Sequence, residues 1–296
     1  MVLKDTVLSI ELGPNDCLYR ILREDEAHSN NNNNITISTT TKNKKIVYVV
    51  LKHPDLIPKA SRTKGPDVIR AFSNLKEWPS HSWHTLTVFG DGGEKPGVMR
   101  EEADEFRPHA LSQRQLLGNY EYFDILELHV VQSVKERSFR VVRQEGVDGS
   151  TTTTTCFLKI ARFAFELGWL AQEIEAHHTL AHRDAFLAPR ILGYAYEETP
   201  DRVIGLLFEE VKGRRPTPAD LPACQAALQK LHDLDVVHGD IVMDNIFITD
   251  DGVKFIDFEE SCIGPIGEED EWRQRKEDEM QSLIEQLSYE PGKRRP

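Results

Sequence analysis

The 296-residue chain carries 39 % hydrophobic and 29 % charged residues with a formal net charge of −13, a globular balance that leaves room for irregular segments. The excess of acid argues against nucleic acid or an anionic membrane as the main partner, and no window approaches the roughly eighteen apolar residues of a membrane-crossing helix. No secretory signal opens the chain, and the cysteines at 17, 156, 224 and 262 form no Cys-x-x-Cys pair, so free thiols and a cytoplasmic setting are expected.

Residues 7–10 and 18–22 read as two strands around the turn signal Gly13-Pro14-Asn15-Asp16. Residues 23–45 contain an asparagine run at 30–34 and threonines at 39–41, a polar tract that cannot repay its ordering entropy and is expected to be disordered. A strand over 45–51 ends at His53-Pro54, and residues 52–110 show little period. Residues 1–119 are therefore expected to form an irregular N-terminal extension.

From Tyr120 the pattern tightens. Residues 123–131 and 138–143 read as paired strands, a loop follows through Gly146, Gly149 and Thr151 to Thr155, and 156–160 makes a third strand. Apolar Phe163, Leu167, Leu170 and Ile174 predict a helix over 163–181. Strands at 189–196 and 203–208 complete an antiparallel sheet. Thr217-Pro218-Ala219-Asp220 opens a helix with an N-cap, a proline at its first position and an acid in its first turn. Its apolar face is Leu221, Cys224, Leu228 and Leu231. A charged helix over 268–287 and a basic tail at 291–296 end the chain.

The chemistry concentrates between the last two helices. Apolar runs at 246–249 and 253–256 flank Asp250-Asp251-Gly252 and predict a tight β-hairpin. The hairpin brings Asn245, at its start, near Asp257, at its end, with Asp240 in the loop just before. Two carboxylates and a carboxamide in one small volume can hold a hard divalent cation and set a base beside it, as phosphoryl transfer requires; Asp and Asn also serve as ordinary turn residues. Lys159, among apolar neighbours in its strand, reads by itself as an edge lysine in solvent or as a charge presented to a phosphate. His178 and His182 share a helical face next to His177, but without the glutamate of a metalloprotease helix; surface or half-buried histidines are expected rather than a zinc site. His238 reads as a packed residue holding the loop.

The run His238-Gly239-Asp240, with Asn245 five residues after that aspartate and Asp257-Phe258-Glu259 after the hairpin, resembles the catalytic loop and metal-binding segment of the protein kinase-like superfamily. The resemblance covers residues 123–262. It implies an α+β, bilobal protein kinase-like fold with an N-lobe at 120–208 and a reduced C-lobe at 209–290. It makes Asp240 the catalytic base, Asn245 and Asp257 the Mg2+ ligands, and Lys159 the ligand of the ATP phosphates. The lysine would pair with Glu173, with Glu175 and then Glu166 as alternatives. Phe208 would stand at the back of the nucleotide pocket, with the Glu209 carbonyl and Val211 amide meeting adenine.

Departures from the pattern narrow the resemblance. Residues 131–137 stand where a Gly-x-Gly-x-x-Gly turn is usual, Gly239 stands where protein kinases carry arginine, and Glu259 replaces glycine. His-Gly-Asp with Asp-Phe-Glu is similar to the aminoglycoside phosphotransferase and choline kinase branch, which implies a small-molecule acceptor. Only 39 residues follow Asp257, too few for a peptide-binding lobe. A nucleotide-binding pseudokinase and an atypical serine/threonine protein kinase stay open as alternatives.

Overall fold

The computed structural model describes residues 2–26, 44–90, 99–147, 150–183 and 186–288. The chain is α+β and divides into two compact units, Met1–His109 and Ala110–Pro296. Where an irregular extension is expected, the first unit is an ordered sheet. Its strands are β1 (Val2–Leu12), β2 (Cys17–Glu26), β3 (Lys44–Leu51), β4 (Thr85–Gly90) and β5 (Met99–Ala103), hydrogen-bonded in that order. All neighbours are antiparallel except β3 and β4, whose parallel pairing needs a crossover, supplied by helix α1 (Gly65–Phe72).

Strand alternation sends Tyr19 and Ile21 with Val47 and Val49 to one face of that sheet, where Val68 and Phe72 of α1 and the rings of Trp78 and Trp83 complete a buried core. The turn expected at Gly13 is present, its N–H donating to the Asp16 carbonyl at 2.9 Å. The expected disordered tract shortens at both ends, because β2 runs to Glu26 and β3 begins at Lys44; the rest, 27–43, lies outside the described residues, as does the basic tail.

The second unit opens with a six-stranded sheet. Its strands are β6 (Glu121–Asp124), β7 (His129–Lys135), β8 (Ser138–Val147), β9 (Ser150–Ile160), β10 (Ile191–Tyr196) and β11 (Val203–Glu209), in the order β6-β10-β11-β9-β8-β7. Three expectations are corrected here. The strand placed at 123–131 is two strands separated by a turn at 124–128, and β6 pairs with β10, in parallel. The threonines at 151–155 are strand rather than loop, paired with residues 142–146 of β8 in a long β8–β9 hairpin. The boundary falls before Ala110 rather than at 119/120, because Leu111 donates its N–H to Val203 at 2.8 Å and is buried with Leu170 and Tyr194.

Helix α2 (Leu167–His182) packs Leu170 and Ile174 against Leu206 and Phe208 of β11. Beyond the sheet come α3 (Leu221–Asp233), β12 (Val236–Val237), the hairpin β13 (Ile246–Thr249) and β14 (Gly252–Phe255), β15 (Cys262–Ile263) and α4 (Glu269–Ser288). Thr217 caps a 3-10 turn (Pro218–Asp220) that runs into α3, its N–H and Oγ1 both donating to the Asp220 carboxylate at 2.7 Å. Leu228 and Leu231 of α3, Phe255 of β14 and Leu283 and Leu287 of α4 share one core. Among the described residues no helix is long and apolar enough to cross a membrane.

Candidate functional site

Lys159 sits on β9 between Ser138 of β8 and Leu206 of β11 and is 8 % exposed. Its ammonium meets three carboxylates: Asp257 Oδ1 at 2.5 Å, Glu173 Oε2 at 2.8 Å and Glu259 Oε1 at 3.1 Å. Burial works against the Lys159 charge, but Glu173, Glu259 and Asp257 outweigh it and hold the ammonium above its ordinary range. Burial pushes the Glu173 carboxyl up, and the neighbouring Glu259 and Asp257 charges add to that against the pull of Lys159. Burial raises Asp257 as well, yet the lysines at 159 and 135 win and its pKa is lowered.

Helix geometry settles which acid faces the lysine. Glu173 lies on the buried side of α2 with Leu170, Ile174 and His177, while Glu175 is exposed. Glu166 instead takes Arg162, with Nη2 to Oε1 at 2.7 Å, and approaches Arg137 at 3.8 Å. His177, expected at or near the surface, is buried, because the helix face carrying Glu173 turns it onto Phe208 and Phe258, with ring centroids 4.8 and 5.2 Å away. Burial first, and then nearby Lys159, lower its pKa to about 3, so it stands neutral.

Asp257 has φ +70° and ψ +64°, a left-handed conformation uncommon for a residue with a Cβ. Such strain is held in place by its surroundings and collects at functional positions. The hairpin ends meet as expected: Ile256, just before Asp257, donates its N–H to the Asn245 carbonyl at 2.9 Å. Asn245 Nδ2 donates in turn to the Asp240 carbonyl at 3.0 Å and to Asp240 Oδ2 at 2.9 Å. With the nitrogen of the carboxamide so engaged, its Oδ1 faces away from these bonds as an acceptor.

The loop itself is pinned from two sides. His238 is fully buried; its Nε2 donates to the Ile256 carbonyl at 3.0 Å, and its Nδ1 accepts the Asp240 N–H at 3.3 Å, which defines a neutral imidazole. Gly239 has φ +84°, and a Cβ there would stand 2.1 Å from the Glu260 carbonyl oxygen, so no other residue fits the turn. The second anchor is Glu279 of α4. Its Oε2 accepts the His238 N–H at 3.1 Å and its Oε1 the Gly239 N–H at 2.6 Å, while His232 Nε2 lies 2.7 Å from Oε2.

Lys159, Glu173, His177 and Asp257 border a cleft of about 390 Å3. Six of the eight residues singled out in the sequence line it: Lys159, Glu173, Phe208, Glu209, Val211 and Asp257. Asp240 and Asn245 do not, and are joined to it through the bond from Ile256 to Asn245. β11 ends at Glu209, and beyond it Val211 lines the cleft with no main-chain partner for its N–H among the described residues.

The structure adds residues that spacing did not single out. Lys135, at the end of β7, reaches Asp257 Oδ2 at 3.4 Å, and Arg137 Nη2 pairs with Glu259. Gln172 of α2 donates to the Ser261 carbonyl. Glu279 had a sequence signal: with Trp272, Leu283 and Leu287 it keeps helical spacing, an acid placed on the apolar stripe of α4. Neither a protein-family model nor a curated protein sequence matches the chain.

Proposed function

We propose that Ala110–Pro296 is an ATP- and Mg2+-dependent phosphotransferase of kinase-like fold whose acceptor is the hydroxyl of a small molecule. The observation that carries this reading is the clamp on Lys159 by a helix glutamate and by the strained aspartate after the hairpin, at the wall of a cleft. The chain order of three strands, a helix and two strands, β7-β8-β9-α2-β10-β11 in one sheet, supports it as similar to a kinase N-lobe.

The donor set fits the cation. Asp257 offers carboxylate oxygen and Asn245 offers Oδ1, both hard ligands. No cluster of three or more His, Cys, Asp or Glu suited to a metal occurs among the described residues. A Mg2+ that keeps waters and takes phosphate oxygens needs only one or two protein oxygens. Bound there, the ion would neutralise charge on the transferring phosphoryl group.

The chain's own residues then divide the work. Lys159, kept charged by its carboxylates, holds phosphate oxygens, and Glu173 fixes the direction of its side chain. The Val211 amide and the ring of Phe208 receive the base. Asp240 has Oδ2 committed to Asn245, which leaves Oδ1 for the acceptor hydroxyl. As the acceptor oxygen bonds to the γ-phosphorus and the bond to the β–γ bridging oxygen breaks, Asp240 accepts the hydroxyl proton.

The test starts with thermal shift of the full chain in Mg-ATP, followed by phosphate transfer to a panel of small-molecule alcohols. Asp240→Asn should abolish transfer and keep the thermal shift; full turnover in that variant removes the assigned role. A second reading, a nucleotide-binding module without turnover, is favoured by the glycine-free turn between β7 and β8. Thermal shift without transfer in the unaltered chain selects it, and no shift at all defeats both.

A further inference from the structure

The turn joining β7 to β8 hangs over the cleft without any glycine, so main-chain amides there cannot approach a ligand as closely as a glycine turn allows. What the turn does present is the side chain of Lys135. Four cations line the cleft, and three are committed elsewhere. Lys159 holds three carboxylates, Arg140 Nη2 pairs with Glu210 at 2.5 Å, and Arg215 Nη1 donates to the Asp244 carbonyl while its guanidinium stacks on Phe247.

Lys135 differs from them. Its side chain is 67 % exposed, and its one ion-pair partner among the described residues is Asp257, at a long 3.4 Å. Asp257 therefore has an ammonium on each oxygen, Lys159 on Oδ1 and Lys135 on Oδ2. Lys159 is fixed by Glu173 and Glu259 and cannot leave. Lys135 is on a flexible four-carbon stem with donors to spare. A divalent cation at Asp257 would repel this second ammonium and take its counter-charge, and the next anion within reach is a phosphate chain in the same cleft.

We infer that Lys135 is a phosphate-binding residue of this site, a side-chain ammonium that does at the β7–β8 turn what main-chain amides do at a glycine turn. This rests on the nucleotide reading above and adds to it a two-position lysine, on Asp257 without ligand and on phosphate with it.

Titration calorimetry of the full chain with Mg-ADP and, separately, with adenosine tests this without requiring turnover. Adenosine carries no phosphate, so only the ADP affinity should respond to Lys135. Lys135→Met should weaken Mg-ADP about tenfold, the scale of one charge-assisted hydrogen bond, and leave adenosine unchanged. Lys135→Arg, which keeps the charge, should restore most of the loss. The exposed position keeps the substitution clear of the core, and the unchanged adenosine affinity checks the fold directly. If both ligands bind as before, or both weaken together, the inference fails and the nucleotide reading stands. If the unaltered chain binds neither ligand, both fall.

Discussion

Arg23 in the first unit and Lys159 in the second are both buried, and the two burials differ in kind. In the first unit Arg23 is closed on every side. Its Nε and Nη2 donate to the two oxygens of Asp5 at 2.8 and 3.2 Å, Nη1 donates to the Ser80 carbonyl at 3.1 Å, and the guanidinium lies 4.8 and 4.6 Å from the ring centroids of Trp78 and Trp83. One acid balances one base, and both side chains are almost wholly buried. In the second unit Lys159 answers three acids, one of them with a left-handed backbone, at the wall of a cleft. A closed, balanced pair holds a fold together. A network in which Lys159 shares Asp257 with Lys135 and Glu259 with Arg137 is branched, and it opens on a cleft where the Arg23 pair is closed.

That contrast breaks most sharply at Asp5. Removing one partner of a buried pair leaves the other uncompensated, so Asp5→Ala should destabilise Met1–His109 by about 3–5 kcal/mol in denaturant unfolding followed by tryptophan fluorescence. A loss under about 1 kcal/mol would show that Arg23 finds another partner and would dissolve the distinction. Lys159→Met should act the other way round. It should cost about a hundredfold or more in phosphoryl transfer. Its stability deficit should depend on pH, because Glu173, buried without its cation, takes a proton. A carboxyl whose folded pKa is raised contributes stability at low pH and loses it as pH rises through that pKa. The gap between variant and unaltered chain should therefore narrow as the pH is lowered from 8 to 5.

Smaller effects sharpen the picture. The folded pKa of His177, about 3, lies below its ordinary 6.5. The neutral ring thus contributes stability above about pH 6.5, and that contribution is lost as pH falls toward 3, where the unfolded chain binds the extra proton. His177→Leu should make the decline of stability between pH 6 and 4 shallower by up to about 1.4 kcal/mol per pH unit, measured by urea unfolding at each pH. Glu175→Ala should change stability by less than about 0.5 kcal/mol and leave transfer untouched, since its side chain points to solvent. An effect as large as that of a Glu173 variant would reverse their assignment.

What could be read from the sequence follows from how local each signal is. The hairpin at 246–255 and the helix cap at Thr217 depend on a few neighbouring residues, and both stand where their spacing puts them. Glu173 could be ranked above Glu175 by likeness alone; choosing by physics requires knowing which side of α2 meets the sheet. The first unit was illegible for a different reason. Its strands carry charges such as Lys4, Asp5, Arg20 and Arg23 among the apolar residues, and the pairing of β3 with β4 spans a helix. The threonines at 151–155 were misread because low complexity suggests disorder, whereas threonine beside a strand partner favours the pleat. Lys135 and Arg137 meet their acids 122 residues further on, a distance that spacing cannot signal.

The bond from Glu279 to the loop has a consequence in time as well as in space. Gly239 and the carboxylate that accepts its amide are 40 residues apart, with the acid coming later. At about 5–20 residues per second, a ribosome makes that stretch in roughly 2–8 s. During that interval the loop has been synthesised but lacks one of its two anchors, so it cannot adopt its final shape. A stalled chain ending before α4 should keep the six-stranded sheet and lack a fixed loop, so the shape of the loop waits on a helix made after it.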